Sequence, residues 1–450
     1  MRTPPAPAPP RTLTTDVCVV GGGPAGLMAG YLLARQGVEV TVLEKHPDFH
    51  RDFRGDTIHP STLELLGELG LLEDFLDLPH DEMRRAEVSF GSARRTVADL
   101  SRLPTRCRFM VFVQQWDFLD FLARTAETLP TFRLVRETEV TGLITAPIEG
   151  DPGSARISGR ARAGRRSAGR RVTGVHARSA RDGDALEIRA RLVLGADGRS
   201  SLMRAATGLP LRTTGAPIDV LWMRIPRRPD EDLPLFTGGA GVLVLIDRGE
   251  YWQAAFAVPH GTIARIRVRG IGFLHRRLAL ARPELEDRVA SLTWNDVHPL
   301  AVRVDHLTRW HVPGLLCIGD AAHAMSPVGG VGINLAIQDA VAAARMLGPI
   351  LAPRAAGPHR PAGSRAPTSR ELDAVRRRRL WPALLTQRIQ AGAASGAFPR
   401  TLDEVATGEP LVLRLVGALP LLRHVTGRFI GVGVRPEHAT RLAPPERRLR

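Results

Sequence analysis

Near the start of the chain, Gly21-Gly22-Gly23-Pro24-Ala25-Gly26 has a spacing that can bind a phosphate-bearing ligand. It follows a short apolar, β-branched run and leads into a segment of helical spacing. In that setting Gly21 permits a tight turn and Gly23 lets backbone approach a pyrophosphate. Gly26 allows a helix to pack close on a strand, and the helix N-terminus supplies partial positive charge. Glu44 closes the next apolar run, where a carboxylate can accept hydrogen bonds from a ribose. Lys45, the only lysine in the chain, adjoins that adenosine-side position. Gly21, Gly23, Ala25, Gly26, Glu44 and Lys45 thus describe a dinucleotide site without deciding between NAD and FAD.

Two later constellations decide for FAD. Gly195-Ala196-Asp197-Gly198, with Ser200, Ser201 and Arg204, follows an independent strand-like run. Gly319-Asp320-Ala321-Ala322-His323 follows another and leads to Pro327, Gly329, Gly330, Gly332, Ile333 and Asn334. A carboxylate at a strand's C-terminal end can bind a sugar-like hydroxyl, and Asp320 is set to do this on a ribityl chain. The glycine-rich turn brings N–H groups close to a ligand, and a helix from about Gly332 points its positive end there. An isoalloxazine gains negative charge on reduction, so such a terminus favours the reduced form. No side chain reads as a certain acid or base. The loop at Pro327, Gly329 and Gly330 is the catalytic candidate because its glycines bring backbone N–H groups close to a ligand. His323 reads as a structural histidine under the turn.

The elements that must position these motifs follow from periodicity. Thr14–Val20, helical spacing over Leu27–Gln36, and Val38–Leu43 make a βαβ unit. Pro60–Leu76 is expected as one amphipathic helix. A short strand near Met110–Val113 precedes a helix from Trp116. Phe132–Val135, Glu139–Leu143 and Val172–Ala177 alternate as antiparallel strands would. Ile148–Arg170 reads as a basic, inserted loop. Leu186–Leu194 and Leu315–Ile318 are strands, Thr214–Leu300 is strand-rich, and Gly332–Leu347 is a long helix. After the linker Ala352–Ser369, the remainder is helical. Arg376 to Arg379 reads as a solvated helix face, and Leu411–Gly433 as a terminal layer on the core rather than a membrane-surface helix.

The fold class expected is α/β: a Rossmann-like FAD-binding domain, an inserted β-sheet substrate domain and C-terminal helices. The boundaries drawn are a disordered leader over 1–13, an FAD lobe of 14–78, 116–209 and 302–347, a substrate lobe of 79–115 and 210–301, and a C-terminal segment of 348–450. Hydrophobic residues at 44% and charged residues at 24% suit a globular core in a 450-residue chain. The formal charge of +16 is almost wholly arginine. Those arginines are scattered and only two tyrosines are present, so a nucleic-acid surface with stacking aromatics is not indicated. No apolar run reaches the ~20 residues of a bilayer span. Cys18, Cys107 and Cys317 lack disulfide or metal spacing and read as buried thiols of a cytoplasmic protein.

The three motifs in this order resemble those of the class A flavoprotein monooxygenases, the para-hydroxybenzoate hydroxylase-like group, from Thr14 to about Leu347. The resemblance implies that Arg54 lies near FAD and the pyridine nucleotide, and that Gln115 contacts the flavin. It implies that Asp197 serves both FAD and NAD(P)H, that Gly319 and Asp320 hold the ribityl chain, and that Pro327 to Asn334 line the ring. The implied reaction consumes NAD(P)H and O2 and transfers one oxygen to an apolar or aromatic small molecule through a flavin C4a-hydroperoxide. No metal, nucleic acid or membrane-inserted partner is implied, and the state expected is monomer or homodimer. A halogenase would need a second Trp where Arg224 stands in Trp222-Met223-Arg224-Ile225-Pro226, and a lysine elsewhere than Lys45. An FAD-dependent reductase of the geranylgeranyl-reductase type, or a non-catalytic flavin-binding protein, remains the alternative.

Overall fold

The computed structural model describes residues 10–50, 57–91, 93–148, 169–239, 241–352, 364–397, 401–404 and 409–439. Arg54 and most of the basic insertion and of the linker lie outside the described residues.

Two sheets organise the molecule. The first runs in the order His311–Val312, Leu315–Cys317, Ala185–Gly195, Arg11–Val20, Val40–Leu43, Phe132–Val135, with the hairpin of Thr138–Pro147 and Arg170–Ser179 attached to Ala185–Gly195. Its core is parallel, and the last four residues of Arg11–Val20 are buried, as expected of a strand covered on both faces. Helix Pro24–Ala34 is buried on nearly every side, so its sequence is apolar all round rather than amphipathic. It packs against the long helix Gly332–Leu351.

Register explains why the three motifs meet. Val20 lies opposite Leu43 on one side and Gly195 on the other, and Gly195 lies opposite Cys317. The glycine turn, the Asp197 turn and the Asp320 turn therefore leave adjacent parallel strands at the same C-terminal edge, where ligands of open α/β sheets bind.

The second sheet has seven strands in the order His298–Leu300, Ile218–Pro226, Tyr251–Pro259, Val242–Asp247, Phe236–Gly238, Arg85–Phe90, Ala93–Asp99. One face rests on helices Ile263–Val268 and Ile271–Ala281, whose Ile266, Leu274 and Leu278 fill its core. The other face turns toward the first domain. Helices Ser369–Ala397, Leu411–Ala418 and Pro420–Val432 complete the molecule, and the last two pack on the edge strand Ala93–Asp99. No helix among the described residues is long and apolar enough to cross a membrane.

Several expectations need correction. The first strand begins at Arg11, inside the stretch assigned to a leader, because its early residues pair with Leu186 to Ala190. Pro60–Leu76 is two helices, broken where Gly70 adopts φ +74°. Phe132–Val135 is parallel to Val40–Leu43, not antiparallel to its sequence neighbour. The stretch 214–300 contains the helices Ile263–Val268, Ile271–Ala281 and Glu286–Val289 besides its strands. Arg379 is not on a solvated face: its side chain is fully buried between Asp339 and Glu437. Cys18, Cys107 and Cys317 are buried free thiols, as their surroundings suggested.

Candidate active site

The glycine turn closes by contact. A Cβ on Gly26 would stand 1.9 Å from the Gly21 carbonyl oxygen, and one on Gly21 (φ +104°) would stand 2.5 Å from that of Ala196. Only glycine fits either place, so helix, turn and second motif interlock. At Gly23 nothing lies within 4 Å of a Cβ position, which leaves backbone open toward the cavity. Glu44 is buried, and its Oε2 accepts from the Gly22 N–H at 2.9 Å while Oε1 accepts from the His46 N–H at 3.0 Å. The carboxylate is thereby fixed at the end of its strand, beside the turn.

The second turn is held by its own acid. Asp197 Oδ1 accepts from Ser201 Oγ at 2.5 Å, and Oδ2 accepts from the Met203 N–H at 3.1 Å. Asp197 therefore organises the start of helix Leu202–Thr207 while lining the cavity. In the third turn Gly319 (φ +59°) packs a would-be Cβ 3.0 Å from Ala25, locking this turn to the first helix. Asp320 is partly exposed to the cavity and meets Arg199 Nη2 at 3.3 Å.

The ring loop is built from Gly329 (φ +78°) and Gly330 (φ +62°). Beside it starts Gly332–Leu351, with no side-chain cap and no acidic residue in its first turn. Its positive end is left for a ligand. Asn334 differs from expectation: it does not line the cavity. Its Oδ1 accepts from the His59 N–H at 2.9 Å and Thr62 Oγ1 at 2.7 Å, and its Nδ2 donates to the Thr57 and Gly330 carbonyls at 3.0 and 3.2 Å. With both ends of its amide occupied, Asn334 staples the loop to its neighbours. Gly26 likewise acts through packing and stays out of the cavity lining.

One continuous cavity of about 790 Å3 joins these turns to the second sheet. Gly21, Gly23, Ala25, Glu44, Lys45, Gln115, Asp197 and Asp320 line one arm, and Pro327, Gly329, Gly330, Gly332 and Ile333 stand where it meets the other. The sheet's contribution, including Val88, Ile218, Val220, Trp222, Val244 and Ala257, is apolar throughout the described residues. Trp222 Nε1, the one side-chain donor among these, is buried with no partner among the described residues.

Buried residues support the turns from behind. Asp339, fully buried, accepts from the Gly319 N–H at 3.1 Å, His323 Nε2 at 2.6 Å and Arg379 Nε at 3.0 Å. Burial would raise its carboxyl, but His323 and Arg379 outweigh that and hold it below the ordinary carboxylate range. His59 donates from Nδ1 to the Ile430 carbonyl at 2.7 Å, and its ring lies against the Gly329–Gly330 backbone. Burial pushes its pKa down to about 4, so it is a neutral histidine. No spacing pairs Asp339 with Arg379, because 40 residues separate them in sequence.

These residues fit FAD. The turn open at Gly23 suits a pyrophosphate, Glu44 an adenosine ribose and Asp320 a polyhydroxyl chain. The uncapped helix suits a ring that becomes negative on reduction.

Comparison with known proteins agrees. The FAD-binding domain family matches residues 14–357. The chain is 35% identical over 338 residues to the 6-methylpretetramide 4-monooxygenase of Streptomyces rimosus, covering 73% of this chain and 74% of that one. It is 24% identical over 354 residues to the pentachlorophenol 4-monooxygenase of Sphingobium chlorophenolicum, covering 76% of this chain and 59% of that longer relative. Among solved structures, the p-nitrophenol 4-monooxygenase of Pseudomonas putida DLL-E4 shares the fold with a TM-score of 0.67 at 18% identity, over 94% of this chain and 96% of the other. Carrying the domain over most of its length together with a cavity shaped for the cofactor, the chain is an FAD-dependent oxidoreductase and belongs to the FAD-binding aromatic-ring monooxygenase family.

Proposed function

We propose that this protein consumes NAD(P)H and O2 to insert one oxygen atom into an uncharged polycyclic phenol. The observation that carries this reading is the single cavity in which the dinucleotide turns open directly onto an apolar sheet. When bound there, FAD supplies hydride acceptance and oxygen activation.

The residues of the chain do the rest. Gly23 presents backbone to the pyrophosphate, Glu44 accepts from the ribose, and Asp320 accepts from the ribityl hydroxyls. Gln115 approaches the ring from the helix it begins. The N-terminus at Gly332 and the N–H groups of the Pro327–Gly330 loop stabilise negative charge on the reduced ring. The sheet wall keeps water from the reacting centre. Arg54 is proposed, on the resemblance alone, to meet the pyridine nucleotide. The proposed division of labour follows the boundaries given above: the first lobe holds the nucleotide and the second the substrate.

The substrate class follows from the wall. A carboxylated ring would need a cation to offset its desolvation, and the sheet offers only apolar side chains with one indole N–H. The Streptomyces rimosus relative is named a 6-methylpretetramide 4-monooxygenase, and its named substrate serves as the probe of this class. The test uses 6-methylpretetramide and 4-hydroxybenzoate as probes in NAD(P)H oxidation by the purified holoprotein. Stimulation of at least tenfold by the first and none by the second is expected. The reverse preference would overturn the substrate assignment. NAD(P)H-dependent saturation of a double bond without oxygen uptake would favour the reductase alternative.

A further inference from the structure

We infer that Gln387 and Gln390, on the C-terminal helix Ser369–Ala397, are positioning residues that aim the flavin-ring loop and thereby set the potential of the bound flavin. The inference rests on the reading that the Pro327–Gly330 loop meets the flavin ring.

The helix lies beyond the residues matched to the FAD-binding domain. Arg379, Gln387 and Gln390 stand eight and three residues apart, so they share one helix face. That face is buried, with Arg379 at 0%, Gln387 at 4% and Gln390 at 5% exposure. A buried polar stripe costs stability unless its donors find acceptors, and here most of the acceptors lie along the turn that carries the third motif, while Arg379 Nη2 meets none among the described residues. Arg379 reaches Asp339, which receives the Gly319 N–H. Gln387 Nε2 donates to the carbonyls of Asp305 and Ala324 at 2.9 and 3.0 Å. Gln390 Nε2 donates to the carbonyls of Ser326 and Val328 at 2.9 and 2.6 Å.

One helix thus holds the carbonyls of residues 324, 326 and 328 directly, and reaches the Gly319 N–H through Asp339. The consequence is electrostatic. Each peptide unit has a positive N–H end and a negative C=O end. Tying the Ser326 and Val328 carbonyls back to Gln390 fixes those dipoles with their negative ends toward the helix and away from the cavity that Ser326, Pro327 and Val328 line. A ring that becomes more negative on reduction is favoured by that orientation. Without the amide donor, the two carbonyls are free to turn toward the ring and disfavour the reduced form.

The experiment measures the two-electron potential of FAD bound to the whole protein, alongside its FAD dissociation constant and unfolding midpoint. The variants are Gln390→Met and Gln387→Met, which keep length and lose the donor, and Arg388→Gln on the exposed side of the same helix. Gln390→Met should shift the flavin equilibrium toward the oxidised form by about tenfold, about 30 mV lower, with FAD affinity within threefold of wild type. Gln387→Met should shift it less and in the same direction, and it carries the test if Gln390→Met does not fold. Arg388→Gln should match wild type. Folded glutamine variants with the wild-type potential, or an equal shift in Arg388→Gln, would overturn the inference and leave the flavin site itself standing. A wild-type protein that takes up no FAD would overturn both together.

Discussion

At the scale of single residues, contacts decide more than residue type. Gly26 is invisible from the cavity yet essential to it, since any side chain there meets the Gly21 carbonyl oxygen. Gly26→Val is expected to yield a chain that retains no flavin on purification, checked by absorbance of the isolated protein. His59 gives a pH prediction. Its folded-state pKa of about 4 lies below the ordinary 6.5, so the unfolded chain takes up a proton that the folded chain refuses. Its effect on stability is nil above pH 6.5 and grows as pH falls toward 4, reaching about 3 kcal/mol at one pKa unit per 1.36 kcal/mol. Denaturant titrations from pH 7 to 4 should show that loss, and His59→Gln should flatten it. Trp222 makes the third case: Trp222→Phe removes the one side-chain donor of the sheet wall among the described residues. KM for a phenolic substrate should rise about fivefold, as the loss of ~1 kcal/mol implies, with FAD affinity unchanged.

At the scale of elements, local signals carried the nucleotide-binding half well. Gly21, Gly23, Glu44, Asp197, Gly319 and Asp320 all sit where strand-then-glycine spacing placed them, because those motifs are short and begin at strand ends. The supports behind them were not legible. Asp339 reads as one polar residue on an apolar helix, and Arg379 as one of four consecutive arginines, until tertiary packing joins them. Sequence pattern also mistook Pro60–Leu76 for one helix, since leucine spacing outweighed a single glycine at 70. The buried ion cluster has a measurable cost of disruption. Asp339→Ala strips Arg379 and His323 of their shared partner, and a loss of about 3–5 kcal/mol in unfolding free energy is expected.

At the scale of the whole molecule, each of the two large sheets has its own task. The first sheet presents three turns at one edge, and the second supplies an apolar wall facing them. The wall was expected as an inserted β-sheet substrate domain, but which of its side chains face the cavity was not legible, because that depends on what packs against the other face of the sheet. Helices Ile263–Val268 and Ile271–Ala281 settle that by covering the far side. Filling the near side should separate the two arms: Ala257→Phe is expected to keep FAD uptake and lower turnover of a polycyclic substrate at least tenfold.

The most direct test follows one atom. Holoprotein, NAD(P)H, 6-methylpretetramide and isotopically labelled dioxygen are combined, and the product is analysed by mass spectrometry. The account predicts a product heavier by one labelled oxygen, formed in proportion to the NAD(P)H consumed. A product whose added oxygen comes from water, or a reduced product containing none, would contradict it.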